Sequence, residues 1–174
     1  QLLKSAHAVD REYRVITALR KTDVPVPKTY SLCEDINIIG TVFFIMEYVQ
    51  GRVLWDPALP DANKQEAKEL YFSMNKTLAK LHSVDPLKIG LESFGKPGNY
   101  VGRQVSIWTK QYTDSETEKI SSMDKLIEWL PGNLPSEKPL RIVHGDFSLT
   151  NLMMHLKEPK VIAILDWELS TLGD

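Results

Sequence analysis

The chain has 174 residues, 43% hydrophobic and 25% charged, enough to build one ordinary soluble core or two small lobes. A net charge of −2 leaves no basic tract for nucleic acid or an anionic membrane, and no apolar run approaches the ~20 residues of a membrane span. A single cysteine, Cys33, excludes an internal disulfide; it reads as a small core hydrophobe in an intracellular, reducing compartment. The chain opens on Gln1 without a signal peptide, which reads as a fragment of a longer protein.

Residues 5–20 place Val9, Tyr13, Ile16 and Leu19 on one helical face. Val24-Pro25-Val26-Pro27 must then run extended, because each proline fixes φ and removes a donor. Residues 29–34 and 37–49 read as strands, with a turn at Gly40, and the run 42–46 is apolar enough to be expected buried. Asp61 is the expected cap of a helix whose Ala67, Leu70, Tyr71, Met74, Leu78 and Leu81 follow the 3.6 period. Pro86 ends it, and His82 near that end reads as a packing or capping residue rather than a base. Residues 103–112, with Trp108, form a further helix. Ser115-Glu116-Thr117-Glu118 reads as a capping box opening another, with Ile120, Met123, Leu126, Ile127 and Leu130 inside and Pro131 at its end. Both helices are expected to pack beneath the loop described next. Between helices, Gly95-Lys96-Pro97-Gly98-Asn99-Tyr100 is a turn-rich loop able to line an acceptor site.

The last thirty residues carry the chemistry. Residues 138–143 read as a strand delivering His144-Gly145-Asp146 into a polar loop, Asn151-Leu152-Met153-Met154 as a short strand, Glu158-Pro159 as a turn. Residues 161–165 form a β-branched strand, buried on both sides, that ends on Asp166. An Asp, an Asn five positions on and an Asp at the next strand tip are the polar groups that ATP-dependent phosphoryl transfer uses. Asp146 orients and deprotonates an acceptor hydroxyl, while Asn151 and Asp166 hold magnesium. The bland alternative is a hairpin in which Asp and Asn only form turns. Other chemistries find no residues: His7, His82, His144 and His155 lack metal-ligand spacing, and there is no G-x-S-x-G or G-x-G-x-x-G.

H-G-D-x-x-x-x-N followed by L-D-W resembles the aminoglycoside phosphotransferase and choline kinase branch of the kinase-like fold. The segments 5–13, 44–52, 94–101 and 166–174 further resemble the kinase-like domain of acyl-CoA dehydrogenase family members 10 and 11. The resemblance implies an α+β, protein-kinase-like, two-lobed fold truncated at both ends. Residues 1–50 would be a partial N-lobe and 51–174 a partial C-lobe. The phosphate-covering glycine loop and the strand lysine would lie before Ser5, since Lys4 sits beside a helix start, and further C-lobe helices after Asp174. It also implies adenine bound against Met46, Glu47, Tyr48 and Val49, and Glu12 paired with an ATP-clamping lysine. His144 would be a structural residue orienting the catalytic loop, and Trp167 and Glu168 would brace the magnesium aspartate.

The implied cofactors are ATP and Mg2+, with FAD confined to a separate dehydrogenase domain linked in the same protein. The implied partner is a small-molecule hydroxyl acceptor, with a hydroxyacyl-CoA suggested by that fusion and a mitochondrial or peroxisomal location by the resemblance. Ser148 and Thr150 depart from the H-G-D-F-R-L-D-N usual in the related proteins. That departure supports the competing expectation of a non-catalytic, nucleotide-binding or scaffolding pseudokinase.

Overall fold

The computed structural model describes residues 9–174; the expected helical residues 5–8, with His7, and Lys4 lie outside them. Helix α1, Val9–Leu19, buries Val15, Ile16, Ala18 and Leu19. It stops where the Thr22 hydroxyl donates to Leu19 O at 2.7 Å. The proline stretch then runs extended as required, and Ile164 N–H donates to Pro25 O at 2.9 Å.

Strands β1, Thr29–Cys33, and β2, Phe43–Met46, pair antiparallel with a bulge between Thr29 and Ser31. They are shorter than the sequence suggests. The Asp35 carboxylate accepts the Asn37 N–H at 2.9 Å, a local bond that competes with strand pairing, and Gly40 at φ +89° closes the turn. The expected burial of 42–46 is also corrected: Ile45 is 52% and Met46 42% exposed. A two-stranded ribbon has one face on α1, where Tyr13 meets the Phe44 ring edge-on at 5.9 Å. Phe44 on that face packs against the core, while Phe43 is only half-buried and the far end of the strand, Ile45 and Met46, is exposed.

Helix α2, Lys64–Ser83, is capped by Asn63, not Asp61. The Asn63 side-chain oxygen accepts the N–H groups of Gln65 and Glu66, both at 3.0 Å, whereas Asp61 lies in the preceding turn. Leu70, Thr77 and Leu81 are its buried residues. Tyr71 is partly exposed and sends its hydroxyl to Pro57 O at 2.7 Å. Pro86 begins a short 3-10 turn, and His82 is exposed.

Helix α3, Tyr100–Ser115, and helix α4, Ser121–Trp129, overturn the capping-box reading. Ser115 is the last residue of α3, where its hydroxyl donates to Gln111 O at 2.8 Å, so it closes one helix instead of opening the next. Neither helix contains a fully buried residue. Their apolar sides, expected to form core, instead face each other across a cavity of about 270 Å3 lined by Val105, Trp108, Tyr112, Met123 and Ile127.

Four short strands complete the chain. β3, Arg141–Val143, pairs antiparallel with β6, Thr171–Gly173; β4, Leu152–Met154, pairs with β5, Val161–Ile164. Leu70 and Leu81 of α2 share one buried core with Ile142, Leu152, Ile164 and Leu172 from these strands. Their removal from water supplies the main drive for assembly. No described helix is long and apolar enough to cross a membrane.

Candidate functional site

β3 runs out at Val143, and His144, though polar, is buried. Its Nε2–H donates to Leu165 O at 2.9 Å, and its Nδ1 accepts the Asp146 N–H at 3.3 Å. One nitrogen donates and the other accepts, which describes a neutral imidazole. The ring also packs on Trp167, with centroids 4.6 Å apart. Burial pushes its pKa below 6.5, with the Leu165 bond and the Asp166 and Asp146 carboxylates partly opposing. The unfolded chain therefore binds more protons than the folded one between that lowered value and 6.5. Stability is fully present above this window and falls as pH drops through it. His144→Gln should flatten that fall in urea unfolding midpoints measured from pH 7 to pH 5.

The backbone next turns at Gly145, φ +92°, where an added Cβ would sit 2.5 Å from Leu169 O. Only glycine lets the two loops approach so closely. Asp146 follows, exposed. The Asn151 amide donates to both the Asp146 carbonyl and its carboxylate Oδ2, each at 2.9 Å. Both bonds use the amide nitrogen, and no described hydrogen bond uses the side-chain oxygen Oδ1. Between these residues the Ser148 and Thr150 hydroxyls bond each other at 2.8 Å.

The second carboxylate is tied to the first loop through the backbone. Leu165 N–H donates to Asn151 O at 2.9 Å, and the next residue is Asp166, exposed and at φ +62°. Trp167 fixes the turn beyond it: its indole N–H donates to Ile164 O at 3.0 Å, and the Ser170 hydroxyl donates to Trp167 O at 2.5 Å.

Helix α1 reaches the same turn. The Glu12 carboxylate accepts the Trp167 N–H at 3.2 Å. Desolvation raises its pKa, with the Trp167 bond opposing and the nearby Asp166 and Glu168 charges adding. No lysine partners Glu12 among the described residues. One anchor escaped the sequence reading. Arg11 donates to Phe94 O at 2.9 Å and Ser170 O at 3.3 Å, its guanidinium 4.4 Å over the Phe94 ring. Its partners lie 83 and 159 residues away, so no local pattern announces it.

Met46, Glu47 and Tyr48 are exposed, Tyr48 to 90%, while Val49 is partly buried. Glu47 N–H donates to Lys28 O at 2.7 Å, so the strand end is pinned on one side. No hydrogen bond among the described residues joins these four to Asp146, Asn151 or Asp166. The connection is through the chain: Arg52 exchanges two 2.8 Å backbone bonds with Met154. A Cβ on Gly51 would lie 2.5 Å from Met154 O. This segment is thereby fixed to β4, whose first residue follows Asn151.

Asp166 and Asn151 offer two hard oxygen ligands. No described group of three His, Cys, Asp or Glu side chains could hold a metal unaided. Magnesium does not require one, because it binds through one or two protein oxygens with phosphates and water completing its shell.

Comparison with known proteins gives the class. Residues 2–174 match the model of the phosphotransferase enzyme family, and the chain belongs to that family. Its fold is the kinase-like fold of the aminoglycoside phosphotransferases. It superposes with a TM-score of 0.90 on a Ralstonia eutropha protein provisionally described as an aminoglycoside phosphotransferase, 56% identical, over 95% of this chain and 51% of that one. The GDP complex of an aminoglycoside 2'-phosphotransferase-IIIa variant, 17% identical, shares the fold at a TM-score of 0.73 over 99% of this chain and 59% of that one.

The particular kinship is with dehydrogenase-family proteins. The chain is 50% identical over 173 residues to acyl-CoA dehydrogenase family member 10 of Mus musculus, covering 99% of this chain and 16% of that protein. It is 48% identical to acyl-CoA dehydrogenase family member 11 of Rattus norvegicus, covering 99% of this chain and 22% of that protein. The chain thus spans under a quarter of the curated relatives it matches.

Proposed function

We propose that this chain is the kinase-like domain of a larger acyl-CoA dehydrogenase-type protein, and that it transfers phosphate from ATP to a small-molecule hydroxyl, with a hydroxyacyl-CoA as acceptor. The observation that carries the reading is the bonded Asp146–Asn151 pair joined to Asp166 through Leu165 N–H and Asn151 O. Asp146 presents an exposed carboxylate, held at one oxygen by Asn151, to orient the acceptor hydroxyl and take its proton. Asn151 Oδ1 and the Asp166 carboxylate suit magnesium, which would neutralise the phosphates. Met46, Glu47, Tyr48 and Val49 are assigned to the adenine edge, and residues 1–50 and 51–174 to the two lobes. Dehydrogenase linkage supports the acceptor class by association only.

The experiment is ATP consumption by the full-length protein with hydroxyacyl-CoA, choline and aminoglycoside acceptors, together with thermal unfolding. A ligand of the native state raises Tm. Magnesium-ATP should therefore raise Tm in the native sequence and in Asp146→Asn, and lose most of that rise in Asp166→Asn. An equal rise in all three would remove Asp166 from the metal site. The competing reading, a nucleotide-binding scaffold, is favoured by the uncharged Ser148–Thr150 pair in the catalytic loop. Magnesium-dependent stabilisation without turnover on any acceptor would support it.

A further inference from the structure

Beside the catalytic loop, but outside it, a cavity of about 590 Å3 opens between α1, the 93–96 loop, the first turns of α3 and β6. Three of its lining residues are cations, Arg11, Lys96 and Arg103, and none is a carboxylate. Both guanidiniums are immobilised by neutral acceptors. Arg11 is held by the carbonyls of Phe94 and Ser170, and Arg103 by those of Gly98 and Lys96. Carbonyls fix position without cancelling charge. Of the five N–H donors on each guanidinium, two are used in this way. Neither arginine, nor Lys96, has an ion-pair partner among the described residues. Glu137, the acid next to this loop, accepts the Asn99 N–H at 2.6 Å.

Concave, preorganised positive charge with fork-shaped donors and no direct ion pair is what phosphate recognition uses. Tyr100 and Ile107 add an apolar wall. The location is informative too. Thr171, on the cavity lining, pairs with Val143, three residues before Asp146.

We propose that this cavity binds a phosphate ester carried by the acceptor, so that Arg11, Lys96 and Arg103 anchor the ligand while its hydroxyl end meets Asp146. The acceptor assignment rests on the phosphotransferase reading; the anion site does not. Coenzyme A is the probe for an ester-borne phosphate, and inorganic phosphate the probe for a free ion. The readout is hydrogen exchange in full-length protein with a non-hydrolysable ATP analogue and magnesium filling the nucleotide cleft. Coenzyme A should slow exchange across residues 94–104. The concentration giving half of that protection should rise about tenfold in Lys96→Met, the loss of one charge-assisted contact. Arg103→Met should abolish it, but Arg103 also tethers the loop, so Lys96→Met is the decisive variant.

Absence of protection at 94–104, equal protection in Lys96→Met, or its loss when the ATP analogue is added would overturn the proposal. Equal protection by inorganic phosphate at the same concentration would reduce the cavity to a free-anion site and overturn the acceptor assignment. The two readings also fail separately. Lys96-dependent protection without ATP consumption refutes the phosphotransferase and keeps the site. ATP consumption with an unchanged KM for hydroxyacyl-CoA in Lys96→Met refutes only the acceptor anchor.

Discussion

Asp146→Asn should lower kcat by about 10²–10⁴-fold, the range for loss of a positioned acid–base group, with Tm almost unchanged. The side chain is exposed, so its replacement removes no packing. Asparagine has the same shape and keeps an oxygen for the Asn151 amide, whose other bond goes to the Asp146 backbone carbonyl and survives. What disappears is a carboxylate able to accept the hydroxyl proton. Acceptor-dependent ADP release and thermal unfolding on the same preparations provide the check. A kcat within about tenfold of the native value would transfer the base role elsewhere.

Trp167→Ala should have the opposite profile: destabilisation by about 3–5 kcal/mol, with any loss of activity following from loss of fold. Trp167 is only 1% exposed and ranks first by volume among the fully buried side chains. Truncation empties the space against His144 and strips Ile164 O of its indole donor. A buried carbonyl left unpaired adds about 1–3 kcal/mol. Against a typical total of about 5–15 kcal/mol, the loss should shift urea midpoints strongly. Trp167→Phe should recover most of the volume but not the hydrogen bond, and so fall between the two. Equal stability of Trp167→Ala and the native protein would contradict the burial described above.

The local geometry of the candidate site was more legible in the sequence than the scaffold around it. A β-branched run ending on an aspartate can hardly be anything but a buried strand with a carboxylate at its tip, and β5 followed by Asp166 is that. Asp146 and Asn151 were legible because their spacing fits one tight loop, which the two 2.9 Å bonds close. Local reading failed where two residues compete for one role. Ser115 satisfies capping-box spacing, but its hydroxyl finds a carbonyl one turn back, and the helix keeps it. Asn63 outdoes Asp61 because it stands where the first free N–H groups of α2 point. Apolar content misled for β2, because burial depends on a covering layer and no residue within the strand encodes one. Strand β6 was missed for a related reason: three residues become a strand only when β3 is beside them. Arg11 and Glu12 belong to the same class, joining α1 to a turn more than 150 residues away.

Asp166 combines a backbone requirement with the metal role proposed for it. At φ +62° a β-branched or bulky residue would be strained, whereas Asp, Asn and Gly tolerate the left-handed region. The backbone therefore accepts a short list, and only one member of it carries a charge at neutral pH. If Asp166 holds magnesium as proposed, a change to Asn would keep this turn and remove the charge the metal needs. Such a change would keep the left-handed turn while removing the negative charge that acts on Glu12 and His144. The turn itself therefore has no need of the aspartate's charge.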